Sequence, residues 1–454
     1  MTNETRKNNL EEKANRIAIT TPDVAVQFGL GLASDGHRLT NLWIETTNPG
    51  HCNLACSYCY ASGGEGAKAS LSQDEWYKVL DNAKEIGINS IGIPGAGEPF
   101  HPAAIEKTMN LLERCKELGI YVTLFTTGQF ITPNLADRLY QLPVELMLKG
   151  NSLIPEVQDA FVSNPEKGRV IGGYGESRNN ALELLVSKGF NNEQRCQKDF
   201  GRKSRMAIVT SIMTQDIPEG QAQKITPNQI RKFAEALKDY EHLGLTGAYL
   251  KAMQDVPDMN FDQVSNYREI AFLHTFSRLN NIIFDVDTVL ERGRGASCKL
   301  CVRDERTKAK FEELQAIDKE VFDYEWGVNT AYVGVACERP RRHLYINHEG
   351  EIRPCIGATG VKLGNIKTTD LMQAWESREM QIIRAKKYQG KCAEKCANFT
   401  ERDKRTGNPL CNSCLGRSTE NLTNETLLEK GYVQTIGCWN YRERKEEINR
   451  EKNA

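Results

Sequence analysis

Three cysteines, Cys52, Cys56 and Cys59, lie within one short segment, with the aromatic residue Tyr58 directly before the third. A loop of this length can direct three thiolates at one soft metal centre. Three thiolates leave the fourth iron of a [4Fe–4S] cluster without a protein ligand and open to a small molecule. Three buried cysteines or a zinc knuckle are the alternatives, although zinc usually takes four ligands in paired spacings. The spacing therefore favours an iron–sulfur cluster with one open iron.

The pattern C-x₃-C-x₂-C with its aromatic residue resembles the signature of the radical S-adenosylmethionine (radical SAM) enzymes. The resemblance implies that Cys52, Cys56 and Cys59 hold a [4Fe–4S] cluster whose fourth iron binds the amino and carboxylate groups of SAM. It also implies that the backbone or ring of Tyr58 meets the adenine. SAM would then be cleaved reductively to a 5′-deoxyadenosyl radical that abstracts a hydrogen atom from the substrate. The implied partner is a low-potential electron donor of the flavodoxin or ferredoxin type.

A second loop, Gly95-Ala96-Gly97-Glu98-Pro99, follows a predicted strand, and its glycines allow the backbone to approach a ligand closely. It resembles the G-G-E-P segment of the same family, whose backbone binds the SAM amino group, with Ala96 in place of the second glycine. Three residues at predicted strand ends are candidates for contacts with the ribose or carboxylate of SAM: Thr126, Thr127 and Ser152. Ordinary capping of strand ends is the alternative for these three.

The elements that must position these loops alternate between strand and helix. Strands are predicted at residues 42–46, 88–93, 120–126, 144–148, 205–213, 244–250 and 282–286. A capping box at Ser72 and Glu75 begins the first helix between them. This rhythm predicts an α/β fold with a parallel sheet, and six or so units favour a partial (β/α)6 TIM-like barrel of the radical SAM type. Both loops and the polar run 149–152 would lie at the C-terminal ends of the strands, where such barrels perform chemistry.

Nine of the 14 cysteines follow this region: Cys298, Cys301, Cys337, Cys355, Cys392, Cys396, Cys411, Cys414 and Cys438. Two C-x₂-C pairs have zinc-ribbon spacing, so structural zinc is one interpretation. The segment from Cys337 through Gly350 to Cys355 resembles instead the start of the SPASM domain, an auxiliary iron–sulfur domain that commonly follows a radical SAM core. Residues 363–366 and Trp375 also resemble that domain, whereas the gap of fourteen residues between Cys396 and Cys411 departs from its usual cluster of four.

By this resemblance the protein carries two auxiliary [4Fe–4S] clusters. The ligands of the first would be Cys337, Cys355, Cys414 and one of Cys298 or Cys301. The ligands of the second would be Cys392, Cys396, Cys411 and Cys438. One cluster with zinc, or one cluster alone, is the alternative.

The chain of 454 residues is long enough for two or three domains. We predict an N-terminal extension at 1–38, the radical SAM partial barrel at 39–290, a linker with Cys298 and Cys301 at 291–336, a small cysteine-rich SPASM-like domain at 337–440 and a charged tail at 441–454. Within the barrel we expect residues 191–204 to form a surface loop in which Cys196 is incidental. His343 and His348 are expected to face solvent.

The composition is that of an ordinary soluble protein, with 39% hydrophobic and 26% charged residues. A net charge of −1 provides no basic footprint, so no nucleic acid partner is expected. No apolar run has the length of a membrane span, and the polar N-terminus lacks a signal peptide, so we expect no membrane association and a cytoplasmic location. Many cysteines in a cytosolic chain indicate metal or redox chemistry rather than disulfides.

SPASM proteins mostly modify peptides or proteins, so the leading prediction is a radical SAM oxidoreductase that abstracts a hydrogen from a peptide or protein side chain, with the auxiliary clusters accepting the electron. Residues 1–38 are too short for a leader-binding module, which a separate protein would then supply. The alternative is a dehydrogenase or rearranging enzyme for a small molecule, such as a sugar, aminocyclitol or cofactor precursor. An iron–sulfur scaffold or electron carrier is disfavoured, because it has no use for an open three-cysteine site.

A base that deprotonates the substrate radical is expected at a strand end. Asp285 and Asp287, at the end of the last predicted strand, are the candidates for this catalytic role. Solvated loop charges are the alternative for both.

Overall fold

The computed structural model describes residues 38–66, 69–213, 225–256, 266–290, 292–297, 305–324, 339–396, 414–416 and 422–435. In these ranges a nine-stranded sheet forms the centre of the protein, and its first six strands are parallel and lie side by side in chain order. These strands are β1 (Asn41–Ile44), β2 (Ser90–Ile93), β3 (Tyr121–Thr126), β4 (Val144–Lys149), β5 (Met206–Ser211) and β6 (Ile283–Asp287). The predicted α/β fold, a partial (β/α)6 barrel, is thereby confirmed.

Helices connect the strands and cover the outer face of the sheet. They are α1 (Gln73–Glu85), α2 (Ile105–Leu118), α3 (Pro133–Tyr140), α4 (Pro155–Val162), α5 (Tyr174–Lys188), α6 (Glu193–Phe200), α7 (Pro227–Asp239), α8 (Leu245–Gln254) and α9 (Glu269–Leu279). The predicted capping box begins α1: Ser72 Oγ accepts the Glu75 N–H at 3.2 Å, and the Glu75 carboxylate accepts the Ser72 N–H at 2.7 Å. Because both orphan N–H groups are satisfied, the chain turns cleanly from loop into helix.

Alternate residues of each strand point to opposite faces of the sheet. On the outer face, residues such as Ile91, Leu124 and Leu146 belong to the large core shared with the helices. On the inner face, a smaller apolar cluster lies at the barrel interior: Trp43, Phe125, Met147, Ala207, Val209, Ile283 and Tyr345. Polar residues farther along the strands, on the same inner face, therefore point into the barrel at the C-terminal ends of the strands.

The C-terminal part continues the same sheet. Strand β7 (His343–Ile346) pairs parallel with β1, and β8 (Glu351–Arg353) and β9 (Gly364–Asn365) follow as antiparallel strands. The remaining elements are α10 (Glu305–Phe322), α11 (Leu371–Trp375), α12 (Arg378–Arg384), β10 (Tyr388–Gly390), α13 (Lys391–Lys395), α14 (Asn424–Lys430) and β11 (Val433–Thr435). No helix in the described ranges is both long enough and apolar enough to cross a membrane.

Two sequence-based expectations about secondary structure are wrong. Residues 244–250 form the start of α8 rather than a strand, because Ala248, Tyr249, Ala252 and Met253 recur at helical spacing and are buried together. The expected surface loop at 191–204 contains α6. The Asn192 side chain caps this helix at its N-terminus, and Gly201 ends it with a φ of 65°.

Cys196 is accordingly buried on α6, where its thiol donates to the Phe190 carbonyl at 3.3 Å. His343 and His348 are also buried instead of facing solvent. They are covered because β7 lies between β1 and β8, a pairing that the sequence pattern does not specify.

Candidate active site

The loop that carries Cys52, Cys56 and Cys59, here called the cysteine loop, follows β1 and brings three thiols together at the C-terminal end of the parallel strands. Cys52, Cys56 and Cys59 are free thiols of intermediate exposure. Burial raises the pKa of Cys56 to about 12, and the nearby Cys59 and Cys52 add to the increase. Burial likewise raises the pKa of Cys52 to about 11, with a further contribution from Cys59. The three thiols therefore lie close together, and a positively charged centre would stabilise their thiolate forms.

This donor set fits an iron–sulfur cluster better than a single ion. In the ranges that the structure describes, no three His, Cys, Asp or Glu side chains are close enough to hold one metal ion. In a [4Fe–4S] cluster each thiolate binds a different iron, so the sulfur atoms surround a larger centre. Three free thiols on one loop match that need and leave one iron for SAM. The bound cluster supplies the electron chemistry, and the protein holds the thiolates in place.

Arg294 fastens the cysteine loop from outside. Its backbone N–H donates to the Cys59 carbonyl at 2.9 Å, and its guanidinium donates to the carbonyls of Cys56 at 2.8 Å and Gly63 at 2.9 Å. Residues 292–295, predicted to open a linker, thus form part of the wall of the site. These contacts fix the backbone of the cysteine loop and thereby the directions in which its three thiols point.

The glycine loop after β2 lies directly against the cysteine loop. A Cβ atom on Gly97 would lie 2.3 Å from the Asn48 carbonyl oxygen and 3.0 Å from that of His51, so only glycine fits there. Gly95 has a φ of 73°, which favours glycine as well. The departure from the family pattern, Ala96, is buried. The two loops that the sequence analysis predicts to form one SAM site are therefore in contact.

Glu98 is buried and joins the glycine loop to the end of β3. Its Oε1 accepts the Thr126 hydroxyl at 2.6 Å and the Phe100 N–H at 3.0 Å, and its Oε2 accepts the Thr127 N–H at 2.7 Å. Burial raises the pKa of Glu98, and these donors oppose the increase. The side chains of Glu98 and Thr126 are thus engaged with each other, and the Glu98 N–H donates to the His51 carbonyl at 2.8 Å.

The strand-end residues after β4 form a second polar cluster. The Asn151 Nδ2 donates to the Tyr58 hydroxyl at 2.7 Å, and its Oδ1 accepts the Ser211 N–H at 3.0 Å. Asn151 therefore connects the predicted adenine-side tyrosine to the ends of β4 and β5. The Ser152 hydroxyl accepts the Ile154 N–H at 3.0 Å. This bond is of the strand-end capping kind, the alternative to a SAM contact for Ser152.

Arg178, on α5, is a buried cation with unused hydrogen-bonding capacity. Its Nη2 donates to the Ser152 carbonyl, and its Nη1 passes so close to Gly150 that a Cβ there would lie 2.5 Å away. Its Nε and Nη1 have no hydrogen-bond acceptor among the described residues. Burial lowers the pKa of Arg178. A buried guanidinium with open donors fits an anionic group such as the carboxylate of SAM.

Asp285 and Asp287 both follow Ile283 at two-residue intervals and therefore face the barrel interior with it. They differ in their partners. Asp287 Oδ1 accepts the Thr288 N–H at 2.7 Å. No residue in the described ranges donates a hydrogen bond to the Asp285 carboxylate, whose pKa is raised to about 6 by burial and by Asp287, against the opposing effect of Lys149 and Arg339.

Glu45 connects the cysteine loop to the C-terminal strands. The Tyr60 hydroxyl donates to Glu45 Oε1 at 2.9 Å, and His348 Nδ1 lies 3.6 Å from Oε2. Burial raises the pKa of Tyr345, and its hydrogen bond to Glu45 and the nearby Cys355 thiol act in the same direction. Tyr345 therefore lies between the cysteine loop and Cys355 of the C-terminal region, and its side chain belongs to the interior face of the sheet.

The described C-terminal cysteines fall into two places. Cys355 and Cys414 begin segments that touch, because a Cβ on Gly357 would lie 2.7 Å from the Cα of Gly416. Arg292 donates to the Gly357 carbonyl at 3.0 Å and ties this pair to the end of the barrel. This proximity agrees with the expected sharing of one cluster by Cys355 and Cys414.

Cys392 and Cys396 lie on and just after α13, where the Cys392 N–H donates to the Thr435 hydroxyl at 3.2 Å. Five predicted ligands are outside the described residues: Cys298, Cys301, Cys337, Cys411 and Cys438. The ligand assignment of the auxiliary clusters therefore stays a prediction.

Two family profiles match the sequence. The radical SAM superfamily profile matches residues 49–192, and that of SPASM, an iron–sulfur cluster-binding domain, matches residues 337–415. The chain contains a radical SAM domain followed by a SPASM domain. These domains imply a [4Fe–4S] cluster with SAM and auxiliary iron–sulfur clusters. The cysteine loop and the glycine loop both lie inside the first match.

Individual relatives resemble parts of this chain. It is 28% identical over 120 residues to the tungsten-containing aldehyde ferredoxin oxidoreductase cofactor-modifying protein of Pyrococcus furiosus, which covers 26% of this chain and 32% of the relative. It is 32% identical over 104 residues to a probable GTP 3′,8-cyclase of Saccharolobus solfataricus, covering 23% of this chain and 32% of the relative. The matched segments thus span about a third of the length of these curated relatives.

Among solved structures, Streptococcus suis SuiB bound to S-adenosylmethionine is 15% identical, with a TM-score of 0.47, over 92% of this chain and 80% of SuiB. Native anSMEcpe with bound AdoMet is 14% identical, with a TM-score of 0.44, over 83% of this chain and 94% of that chain.

Sequence reasoning missed Glu45, Arg178 and Arg294. Each is a charged residue outside a recognisable motif, and only the fold brings it to the site. Lys149 stood in a polar run expected at a strand end, but nothing in that run distinguished it from its neighbours.

Proposed function

We propose that this radical SAM enzyme oxidises a peptide or protein side chain. Bound to the cluster, SAM supplies a 5′-deoxyadenosyl radical that removes a hydrogen atom from the substrate. Asp285 would accept the proton that the substrate radical then loses, and the SPASM cysteines would hold the auxiliary cluster that supplies an acceptor for its electron. A low-potential donor of the flavodoxin or ferredoxin type reduces the SAM cluster. We expect this chemistry in the cytoplasm, where thiols stay reduced.

The observation that carries the proposal is the position of Asp285 relative to the SPASM cysteines. Asp285 is a carboxylate on the interior face without a hydrogen-bond donor among the described residues, and its pKa of about 6 leaves it largely ionised at neutral pH. Cys355 lies near Tyr345, which belongs to the interior cluster. A proton acceptor on the interior face and a predicted ligand of an electron-accepting centre close to that face together suit the oxidation of a bound substrate.

The choice of a peptide or protein side chain depends on the SPASM match at residues 337–415, since the SPASM resemblance implies that substrate class. Asp287 is the second candidate for the base. Its bond to the Thr288 N–H engages one carboxylate oxygen, which makes Asp285 the more available acceptor.

The cluster content can be tested by counting iron and sulfide after anaerobic purification and reconstitution. A total of about twelve irons, with a loss of about four in the Cys52/Cys56/Cys59→Ala variant, would support one SAM cluster and two auxiliary clusters. The matched control is a Cys115/Cys196→Ala variant, because both thiols are buried elsewhere in the barrel. Unchanged iron in the triple variant would contradict the assignment of the SAM cluster.

The substrate class can be tested by isotope transfer. The reconstituted protein would be incubated with SAM, dithionite and either the peptide fraction or the small-molecule fraction of cells grown on deuterated medium. Deuterium in 5′-deoxyadenosine, measured by mass spectrometry with the peptide fraction only, would support the proposal. Transfer from the small-molecule fraction only would favour a sugar, aminocyclitol or cofactor precursor instead.

A further inference from the structure

We propose that Lys149 is a positioning residue whose charge keeps the Asp285 carboxylate ionised in the barrel interior. The inference rests on the proposed function, because it concerns the base assigned there. It extends that function by naming the residue on which the base depends.

The strand register places the two residues in one row. Lys149 of β4 pairs with Val209 of β5, and Val209 pairs with Asp285 of β6. Neighbouring strands lie about 4.8 Å apart, so the two Cα atoms are about 10 Å from each other. Val209 belongs to the interior cluster and offers no polar side-chain atom between them. The long side chain of a lysine can extend over such a residue toward the carboxylate.

Lys149 also points inward. It follows Met147 of the interior cluster by two residues, and its Nζ lies 4.9 Å from the centre of the Phe125 ring. Among the described residues, no group accepts a hydrogen bond from the Lys149 ammonium. No group among them donates one to the Asp285 carboxylate either. Structural ion pairs in this protein, such as Lys188 with Asp137 at 2.6 Å, are instead in direct contact. A lysine and an aspartate that face one space without being bonded are available to a ligand between them.

The charged groups around the pair support this role. Asp285 faces Asp287, Lys149 and Arg339, and the guanidinium of Arg339 lies 4.4 Å from the centre of the Trp43 ring on the other side of the interior. Lys149 faces Asp285 and Asp287 as well as Cys56 and Cys59. Burial lowers the pKa of Lys149, and the neighbouring Asp285, Asp287 and the two cysteines oppose the decrease. Removal of the Lys149 charge would leave Asp285 and Asp287 with less positive charge around them in the part of the chain that the structure describes, which favours protonation of Asp285.

The test measures the ionisation of Asp285 directly and needs no substrate. Infrared difference spectra of the reconstituted full chain, labelled with ¹³C-aspartate, would be recorded across pH, and the Asp285 band would be identified by its loss in Asp285→Asn. In Lys149→Met the midpoint of this band should move upward by on the order of one pH unit. Lys149→Arg should restore a midpoint near that of the wild type. Lys188→Met, on the outer face, is the matched control and should leave the midpoint unchanged.

An unchanged or lower midpoint in Lys149→Met would overturn the proposal. If that variant does not fold, Lys149→Gln, which keeps a polar stem, provides the same measurement and the same two outcomes. Failure here is distinguishable from failure of the proposed function, since the midpoint is independent of SAM cleavage and of deuterium transfer.

Discussion

The carboxylate of Glu98 accepts the backbone N–H of Thr127 at 2.7 Å and so joins the loop after β2 to the end of β3. Its other oxygen accepts the Thr126 hydroxyl at 2.6 Å. Because Glu98 is buried, these bonds are shielded from water and hold two neighbouring strand ends in one arrangement. The conformation of the glycine loop relative to the end of β3 is thereby fixed.

Replacement of Glu98 by Gln should destabilise the protein by about 1–3 kcal/mol, because the new amide group would oppose the Thr127 N–H or the Phe100 N–H and leave it without an acceptor. The free energy of unfolding, measured by chemical denaturation, checks this expectation. Glu113→Gln on the exposed face of α2 is the control and should have little effect. Equal stability of Glu98→Gln and the wild type would show that the carboxylate does not hold the two strand ends.

Gly97→Ala should prevent the cysteine loop and the glycine loop from approaching each other, since its Cβ would lie 2.3 Å from the Asn48 carbonyl oxygen. We expect a loss of about four irons after reconstitution, together with weaker SAM binding. Gly172→Ala is the matched control, because a Cβ there meets nothing within 4 Å and should leave the iron content unchanged. Full iron content and normal SAM binding in Gly97→Ala would mean that the loops can separate without harm.

The six parallel strands and the loops after β1 and β2 could be predicted from the sequence, because they depend on local patterns, whereas the strand predicted at 244–250 is wrong. Apolar runs such as residues 120–126 identify strands, and the cysteine spacing is legible without any fold. A sheet made of successive βα units also places all the strand-end loops on one side. The contact between Gly97 and the cysteine loop follows from those rules.

The rest of the site depends on contacts between distant segments, which local patterns do not contain. Arg178 reaches Ser152 across 26 positions in the sequence, and Arg294 reaches Cys56 across 238. The burial of His343 results from the pairing of β7 with β1. A short apolar run such as 244–250 also fits a strand and a helix equally well, and the packing of Tyr249 in the core decides for the helix.

Asp285→Asn should stabilise the protein at pH 8 and have no such effect near pH 4. The pKa of Asp285 in the folded protein, about 6, is above its ordinary value of 3.8. The folded state therefore binds more protons between these values, and the free energy of unfolding falls as the pH rises through that window. Asparagine carries no charge to desolvate, so it should gain about 1–3 kcal/mol above pH 6. Denaturation at several pH values measures this gain, and a difference independent of pH would contradict the assigned ionisation.

Arg178→Gln should weaken the binding of SAM to the reconstituted protein by about tenfold, because one charge-assisted hydrogen bond contributes about 1.5–3 kcal/mol. The Nε and Nη1 of Arg178 are buried without acceptors among the described residues. These donors are expected to bind the carboxylate of SAM, and the substitution removes them. Equilibrium dialysis with radiolabelled SAM measures the affinity, and the iron content of the same sample shows that the cluster is intact. Arg138→Gln, on the exposed side of α3, is the control. An unchanged SAM affinity in Arg178→Gln with full iron content would show that this guanidinium serves only the fold around Ser152.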